Sequence, residues 1–125
     1  GALAQDKGLE VQLNAAKPVE GGCALIFVLD NQTGGDFDSF GLDVSVYGPT
    51  KTVDGFYRMN FSEIPGGGKT TVQFKLDGLD CTKVSQVGVN AGPLADCTAK
   101  EGSSAKICNT TPSLVAGPGL GVPFP

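Results

Sequence analysis

The sequence predicts a single all-β domain built as a sandwich of two sheets. Apolar residues alternate with polar residues in several short segments, which is the pattern of strands with one buried face. These segments recur every ~10 to 15 residues and are separated by turn-forming residues. The chain has 125 residues with 19 glycines and 8 prolines, so one turn-rich globular domain is expected. No segment shows a sustained helical period.

The first two strands differ in pattern. Leu9, Val11 and Leu13 alternate with polar residues, so this strand should have one buried and one solvated face. Residues 23–29 are apolar throughout, which predicts a central strand covered on both sides. The polar run 31–35 ends in two glycines and should terminate that strand.

Four further strands are predicted along the chain. Alternating patterns cover residues 40–47, 57–61 and 70–76, and a broken pattern covers 84–89. Residues 94–109 are predicted as a hairpin or loop. Six to seven short antiparallel strands with turns between them favour an immunoglobulin-like β-sandwich over a closed barrel.

The predicted sandwich covers residues 8–110 and is flanked by two other segments. Residues 1–7 begin with Gly1-Ala2-Leu3-Ala4, the small-x-small form that precedes signal-peptide cleavage, so they are interpreted as a signal remnant and flexible terminus. An ordinary flexible terminus is the alternative. Residues 111–125 are rich in proline and glycine and are predicted as an extended tail.

The four cysteines predict an exported protein. Their number is even, they form no C-x-x-C motif and the chain has no histidine, which indicates two disulfides in an oxidising, periplasmic or extracellular compartment. Three pairings are possible. The spacing favours Cys23 with Cys81, which would join distant strands, and Cys97 with Cys108, which would close a loop. The chain-entropy estimate is ~4 kcal/mol for the longer loop and ~3 kcal/mol for the shorter.

Charge and hydropathy argue against nucleic acids and membranes as partners. The formal net charge is −4 and lysines and arginines are scattered, so nucleic acid is not an expected partner and anionic membrane surfaces are disfavoured. The longest apolar run, residues 23–29, is too short to span a bilayer.

Several turn and strand motifs resemble one bacterial group. They are Leu9-x-Val11-x-Leu13, Gly22-Cys23, residues 30–34, Phe40-x-Leu42-Asp43-Val44, residues 68–72 and Gly78-Leu79-Asp80-Cys81. Over residues 9–97 the chain resembles small exported alphaproteobacterial proteins known by a twin-arginine signal sequence. The turn at 31–34 and the strands after it are also similar to bacterial immunoglobulin-like domains of the FxLYD kind. The resemblance implies a fold but no activity and no site residues. The chain departs from the group by its Gly-Pro-rich ending, which suggests a docking segment.

Nucleotide motifs are incomplete. Residues 66–70 match the end of a phosphate-binding loop, but position 63 is Glu63 rather than glycine and a strand follows, so a hairpin turn is predicted instead. Residues 117–121 fail the dinucleotide spacing. Three Asn-x-Ser/Thr matches, at Asn31, Asn60 and Asn109, are interpreted as turn and strand-end residues.

Metal and catalytic patterns are also weak, and no cofactor is expected. Asp30, Asp36 and Asp38 surround a glycine-rich loop without a complete calcium-ligand spacing, so turn capping is the preferred interpretation. The absence of histidine argues against serine or cysteine hydrolysis. Asp36 with Asp38, or Glu63 with Asp80, could perform acid-base chemistry on a glycan, but solvated carboxylates are favoured.

The expected function is therefore non-catalytic. We expect a periplasmic protein-interaction or structural module, an accessory subunit of an envelope assembly, that contacts a protein through a sheet edge, the loop 98–107 or the tail 111–125. The alternative is a small-ligand or glycan-binding protein that uses Phe37, Phe56 and Tyr57. A deep apolar pocket would favour that alternative.

Overall fold

The computed structural model describes residues 8–90 and 92–125. These residues form eight strands and two short 3-10 helices. The strands are β1 (Gly8–Val19), β2 (Gly22–Gln32), β3 (Phe37–Tyr47), β4 (Val53–Ile64), β5 (Gly68–Asp77), β6 (Gln86–Val89), β7 (Ala95–Ala99) and β8 (Ser113–Ala116); the 3-10 helices are Cys81–Lys83 and Ala105–Asn109.

The strands form two facing sheets, which confirms the predicted all-β sandwich. One sheet has the order β5-β2-β1-β8, and the other has the order β4-β3-β6 with β7 also paired to β3. Two details differ from the sequence prediction of six to seven antiparallel strands. The described residues form eight strands, and β8 runs parallel to β1.

The core lies between the sheets and is rich in aromatic rings. Phe27 packs edge-to-face on Phe61 at a centroid distance of 5.7 Å, and Phe40 stacks on Phe61 at 5.1 Å. β2 is an inner strand of its sheet, as its apolar pattern suggested, but it is not covered on both sides. Ile26 and Val28 on its outer face are half-buried, because no third layer of described residues covers them.

Two disulfides fix the ends of the sandwich. Cys23, at the start of β2, is bonded to Cys81, and Cys97 of β7 is bonded to Cys108 in the second 3-10 helix. These are the two pairs that the spacing favoured. The first joins residues 58 positions apart, so it removes more freedom from the unfolded chain than the second, which spans 11.

The C-terminal segment, predicted as an extended tail, is packed as part of the sandwich. After β8, Leu120 and Phe124 are buried in the core, and the Phe124 ring lies 6.4 Å from that of Phe27. The Val87 amide of β6 donates to the Pro123 carbonyl at 3.1 Å. The segment therefore links the edge of one sheet to the edge of the other. Prolines are tolerated there because an edge requires few amide donors.

A buried asparagine organises the turn after β2. Asn31 is fully buried, and its amide nitrogen donates to the carbonyls of Gly35 and Ile64, at 3.0 and 3.2 Å. Its side-chain oxygen accepts from the Thr33 amide at 3.1 Å and from the Thr33 hydroxyl at 2.7 Å. This asparagine therefore has a structural role, and its side chain is inaccessible in the folded state.

Candidate interaction surface

The structure fixes two of the three predicted contact routes against the sandwich, and both keep exposed residues. In the C-terminal segment, Leu120 and Phe124 enter the core. The loop 98–107 is held against the turn between β2 and β3: the Lys100 amide donates to the Asp36 carbonyl, the Asp36 amide donates to the Ser103 hydroxyl, both at 2.9 Å, and Ile107 is buried. The sheet edges are the third route.

Two long edge strands, β4 and β5, lie on the same side of the sandwich. They follow one another in the chain, and each pairs with a single neighbour among the described strands. β5 carries exposed Lys69 and Lys75, which are typical guards against unwanted strand pairing. Between Gly55 and Ser62, β4 contains no lysine and no proline, and its one charge is Arg58. Asp54 and Glu63 lie at the two ends of β4, so the edges differ in their lysines: β5 carries two and β4 carries none.

A bulge at the start of β4 concentrates apolar surface there. Gly55 lies opposite Val46 on β3, but Val53 lies opposite Tyr47, so Asp54 is an extra residue in β4. Because of this extra residue, Val53 and Phe56 both point to the outer face of the sheet. They are 52% and 60% exposed, the highest values among the large apolar side chains of the described residues.

Small residues lie beside Phe56 on the outer face. Phe56 is opposite Ser45 of β3, which is opposite Gly88 of β6. The ring of Tyr47 lies over Gly88, since a Cβ at that position would be 3.4 Å from a Tyr47 ring carbon. The outer face therefore presents two aromatic rings, Phe56 and Tyr47, beside the small residues Ser45 and Gly88. This shape suits contact with another chain.

An ion cluster borders this aromatic surface. The Arg58 guanidinium donates to Asp43 of β3, including a bond of 3.2 Å from Nη2 to Oδ2, and to Asp96 of β7. The hydrogen bond to Asp43 is the main reason that the pKa of Arg58 is raised. The aliphatic part of Arg58 lies over Gly41, where a Cβ would clash with it. One cation faces two carboxylates, so Arg58 presents no free positive charge.

An open cleft of about 350 Å³ lies where β4 begins and β5 ends. Tyr57 lines it together with Asp54, Asp77, Asp80 and Lys83, among others. Hydrogen bonds from the hydroxyl and amide of Thr82 lower the pKa of Asp80. The cleft is polar, not the deep apolar pocket that would favour a ligand-binding protein.

The structure does not bring together the aromatic residues of the predicted ligand site. Phe37 is fully buried, with its ring centroid 5.0 Å from that of Phe40. Phe56 is on the outer face, and Tyr57, its neighbour in β4, is on the inner face and reaches the cleft. Phe56 and Tyr57 are on opposite faces because adjacent residues of a strand alternate in direction, so the three residues do not line one surface.

The carboxylates singled out in the sequence are dispersed or used in turns. Asp36 accepts a hydrogen bond from the Gly66 amide at 2.7 Å, and Glu63 is 3.3 Å from the amine of Lys100. Asp80 lies in the cleft at the other end of β4, so Glu63 and Asp80 are not a pair. Among the described residues, no group of three or more side chains is placed to hold a metal ion.

Sequence reasoning missed most of the contact surface. Val53, Tyr47, Asp43 and Asp96 contribute to it through cross-strand neighbours, which only the register defines. Asp54-Gly55 is a turn-forming dipeptide, and in the structure it forms the bulge. The sequence shows this dipeptide, but it does not show that the bulge turns Val53 to the outer face of the sheet.

The strands form a β-sandwich with an immunoglobulin-like arrangement, and its two disulfides indicate an oxidising compartment. A similarity to a solved structure supports the fold. IrmA from Escherichia coli superposes with a TM-score of 0.60 at 10% identity, over 86% of this chain and 90% of that chain. No protein-family model and no curated protein matches the chain. At 10% identity the similarity shows the fold alone. No helix among the described residues is long and apolar enough to cross a membrane.

Proposed function

We propose that this chain is a non-catalytic protein-interaction or structural module of the bacterial periplasm, an accessory subunit of an envelope assembly. Its contact surface is the edge of β4 with the adjoining outer face. One observation carries the proposal: the two most exposed large apolar side chains described, Val53 and Phe56, lie together on the long edge strand that carries no lysine. Isolated exposed apolar residues are ordinary, whereas adjacent ones on an open edge favour association.

The two disulfides support the compartment in this proposal. Structural disulfides form and persist mainly in oxidising compartments, so the Cys23–Cys81 and Cys97–Cys108 bonds support an exported location. The periplasm is the compartment that fits the resemblance to small exported alphaproteobacterial proteins.

Site-specific photo-crosslinking in intact cells tests the proposal. A photoreactive side chain replaces Phe56 in one strain and Val19 in the control strain. Val19 is also exposed and apolar but lies on β1, in the opposite sheet. We expect a discrete protein adduct from position 56 and none from position 19. Absence of an adduct at both positions, or equal adducts at both, would overturn the proposal.

A second candidate function has one specific observation in its favour. Tyr57 and three carboxylates, Asp54, Asp77 and Asp80, converge on the end cleft. Aromatic rings and carboxylates are groups that bind sugars and small cations. Glycan-array binding that is lost in Tyr57→Ala but retained in Phe56→Ala would favour this candidate over protein contact.

A further inference from the structure

The two lateral sides of the sandwich are closed to different degrees. On the side of β8 and β6, the chain covers its own core with an extended segment that inserts Leu120 and Phe124 between the sheets. Gly117 lets this segment approach β1 closely, since a Cβ there would be 2.9 Å from the Cα of Asn14. On this side, the gap between the sheets is therefore filled by an extended segment with apolar side chains.

On the opposite side, the core reaches the surface between β4 and β5. Tyr57 of β4 and Val72 and Phe74 of β5 pack against the core but are only half-buried. No segment among residues 8–90 and 92–125 covers them in the way that Leu120 and Phe124 cover the other side. Incompletely buried apolar side chains therefore lie beside the open edge of β4.

The hydrogen-bond pattern shows which groups of β4 face outward. The carbonyl of Asp43 accepts from the Asn90 amide, so on β3 it is directed toward β6. Backbone groups alternate in direction along a strand, so the amide and carbonyl of Val44 point toward β4. There they form backbone hydrogen bonds with the opposite residue, Tyr57. On β4 the amides and carbonyls of the alternate residues, Phe56, Arg58 and Asn60, then point away from β3.

We infer that an extended segment of another polypeptide adds to the free edge of β4 as a further strand. Its alternate apolar side chains pack against Tyr57, Val72 and Phe74, and a basic side chain at one end enters the cleft. This inference rests on the proposed interaction function and specifies its occupant. Backbone groups of Phe56, Arg58 and Asn60 supply the hydrogen bonds of the new strand pair.

The cleft indicates the charge of the occupant. It adjoins Tyr57 at the start of β4 and is lined by Asp54, Asp77 and Asp80 against one cation, Lys83. Lys75 is 3.5 Å from Asp77, and Asp54 and Asp80 have no ion pair among the described residues. Opposite charges across an interface fix register and suppress wrong partners. In the preferred antiparallel pairing, the basic side chain lies at the C-terminal end of the added strand.

The probe for this inference is a short synthetic peptide of alternating threonine and valine that ends in lysine. Binding is followed by NMR on the isotope-labelled chain. We expect shifts and slowed hydrogen exchange at the amides of Phe56, Arg58 and Asn60. A second peptide that ends in glutamate instead of lysine should bind about tenfold more weakly, since it loses one interfacial charge pair.

Matched proline variants separate strand addition from other binding. Asn60→Pro removes an outward donor of β4 and preserves the pairing with β3, and it should weaken lysine-peptide binding at least ~10-fold. Gln73→Pro is the control on β5. The Gly78 amide donates to the Gly21 carbonyl, so even-numbered residues of β5 direct their backbone groups toward β2. Because the direction alternates along a strand, the amide of Gln73 points outward, as that of Asn60 does on β4. Binding by Gln73→Pro should match the parent chain.

Three outcomes of the binding experiments would overturn the inference, and a fourth comes from light scattering. The three are equal loss of binding in both proline variants, equal affinity for the lysine and glutamate peptides, and shifts confined to β5 or to the outer face. If light scattering shows that the free chain is a dimer through β4, the occupant is a second copy and the proposed basic peptide is wrong. Photo-crosslinking at Phe56 can still succeed in each case, so failure here is distinguishable from failure of the proposed function.

Discussion

The strands β4 and β5 occupy equivalent positions at the edges of the two sheets, yet they are built for different environments. β5 presents Lys69 and Lys75 to solvent, and its inner residues Val72 and Phe74 are half-buried. β4 has fully buried inner residues in its second half but exposes Val53 and Phe56 at its start. Edge position alone therefore does not determine whether a strand is guarded; the side chains along it do.

The largest expected effect concerns the inner faces of the two strands. Phe61 of β4 is fully buried, so Phe61→Ala should reduce the free energy of unfolding by ~3 to 5 kcal/mol. Phe74 of β5 contacts Phe61 at 5.1 Å but is half-buried, so Phe74→Ala should cost about 1 to 2 kcal/mol. Denaturant titration measures both, with the disulfides kept intact. Equal losses would contradict the structural contrast between the strands.

Adding a lysine to β4 and removing the lysines of β5 should reverse which edge associates with other chains. Asn60→Lys places a lysine on β4, and because the site is exposed it should change the free energy of unfolding by less than ~0.5 kcal/mol while abolishing peptide binding. The double variant Lys69→Thr with Lys75→Thr removes the guards of β5, and it should increase self-association in light scattering. Unchanged association in the double variant would show that lysines do not protect β5.

The ion cluster should stabilise β4 more than the comparable ion pair stabilises β5. Arg58 bonds carboxylates on two other strands, whereas Lys75 contacts Asp77 in its own strand. Arg58→Ala should therefore lower the thermal midpoint and speed amide exchange along β4. Lys75→Ala should leave the midpoint unchanged, as is usual for exposed ion pairs. A larger effect from Lys75 would reverse this ranking.

The smallest expected effect is a pH dependence at the end of β5. The pKa of Asp80 is lowered from its ordinary value of 3.8, mainly by the hydrogen bond from the Thr82 hydroxyl. A depressed folded-state pKa adds stability that is present above the unfolded pKa and is lost as the pH falls through the folded pKa. At neutral pH, the Thr82→Ala variant should have a lower free energy of unfolding than the parent chain. This difference should narrow as the pH falls below the ordinary Asp80 pKa of 3.8. A difference independent of pH would exclude this carboxylate as its source.

The all-β sandwich, the two cysteine pairs and most strand positions followed from the sequence, because period-two patterns and turn residues are local signals. The C-terminal segment did not, since its prolines and glycines concealed the fact that Leu120 and Phe124 complete the core. The candidate surface depends on register, which placed Asp96 beside Arg58 and Val53 beside Phe56. Such contacts between distant residues leave no periodic signal in a single sequence.

Crosslinking from the midpoints of the two edges tests the central claim most directly. A photoreactive residue is placed at Asn60 of β4 in one strain and at Gln73 of β5 in another, and adducts are compared in the native envelope. Both positions are exposed on long edge strands of the same side, so they differ mainly in the protection of their edges. The account predicts a discrete adduct from β4 and none from β5. Adducts from β5 alone, or equally from both strands, would contradict it.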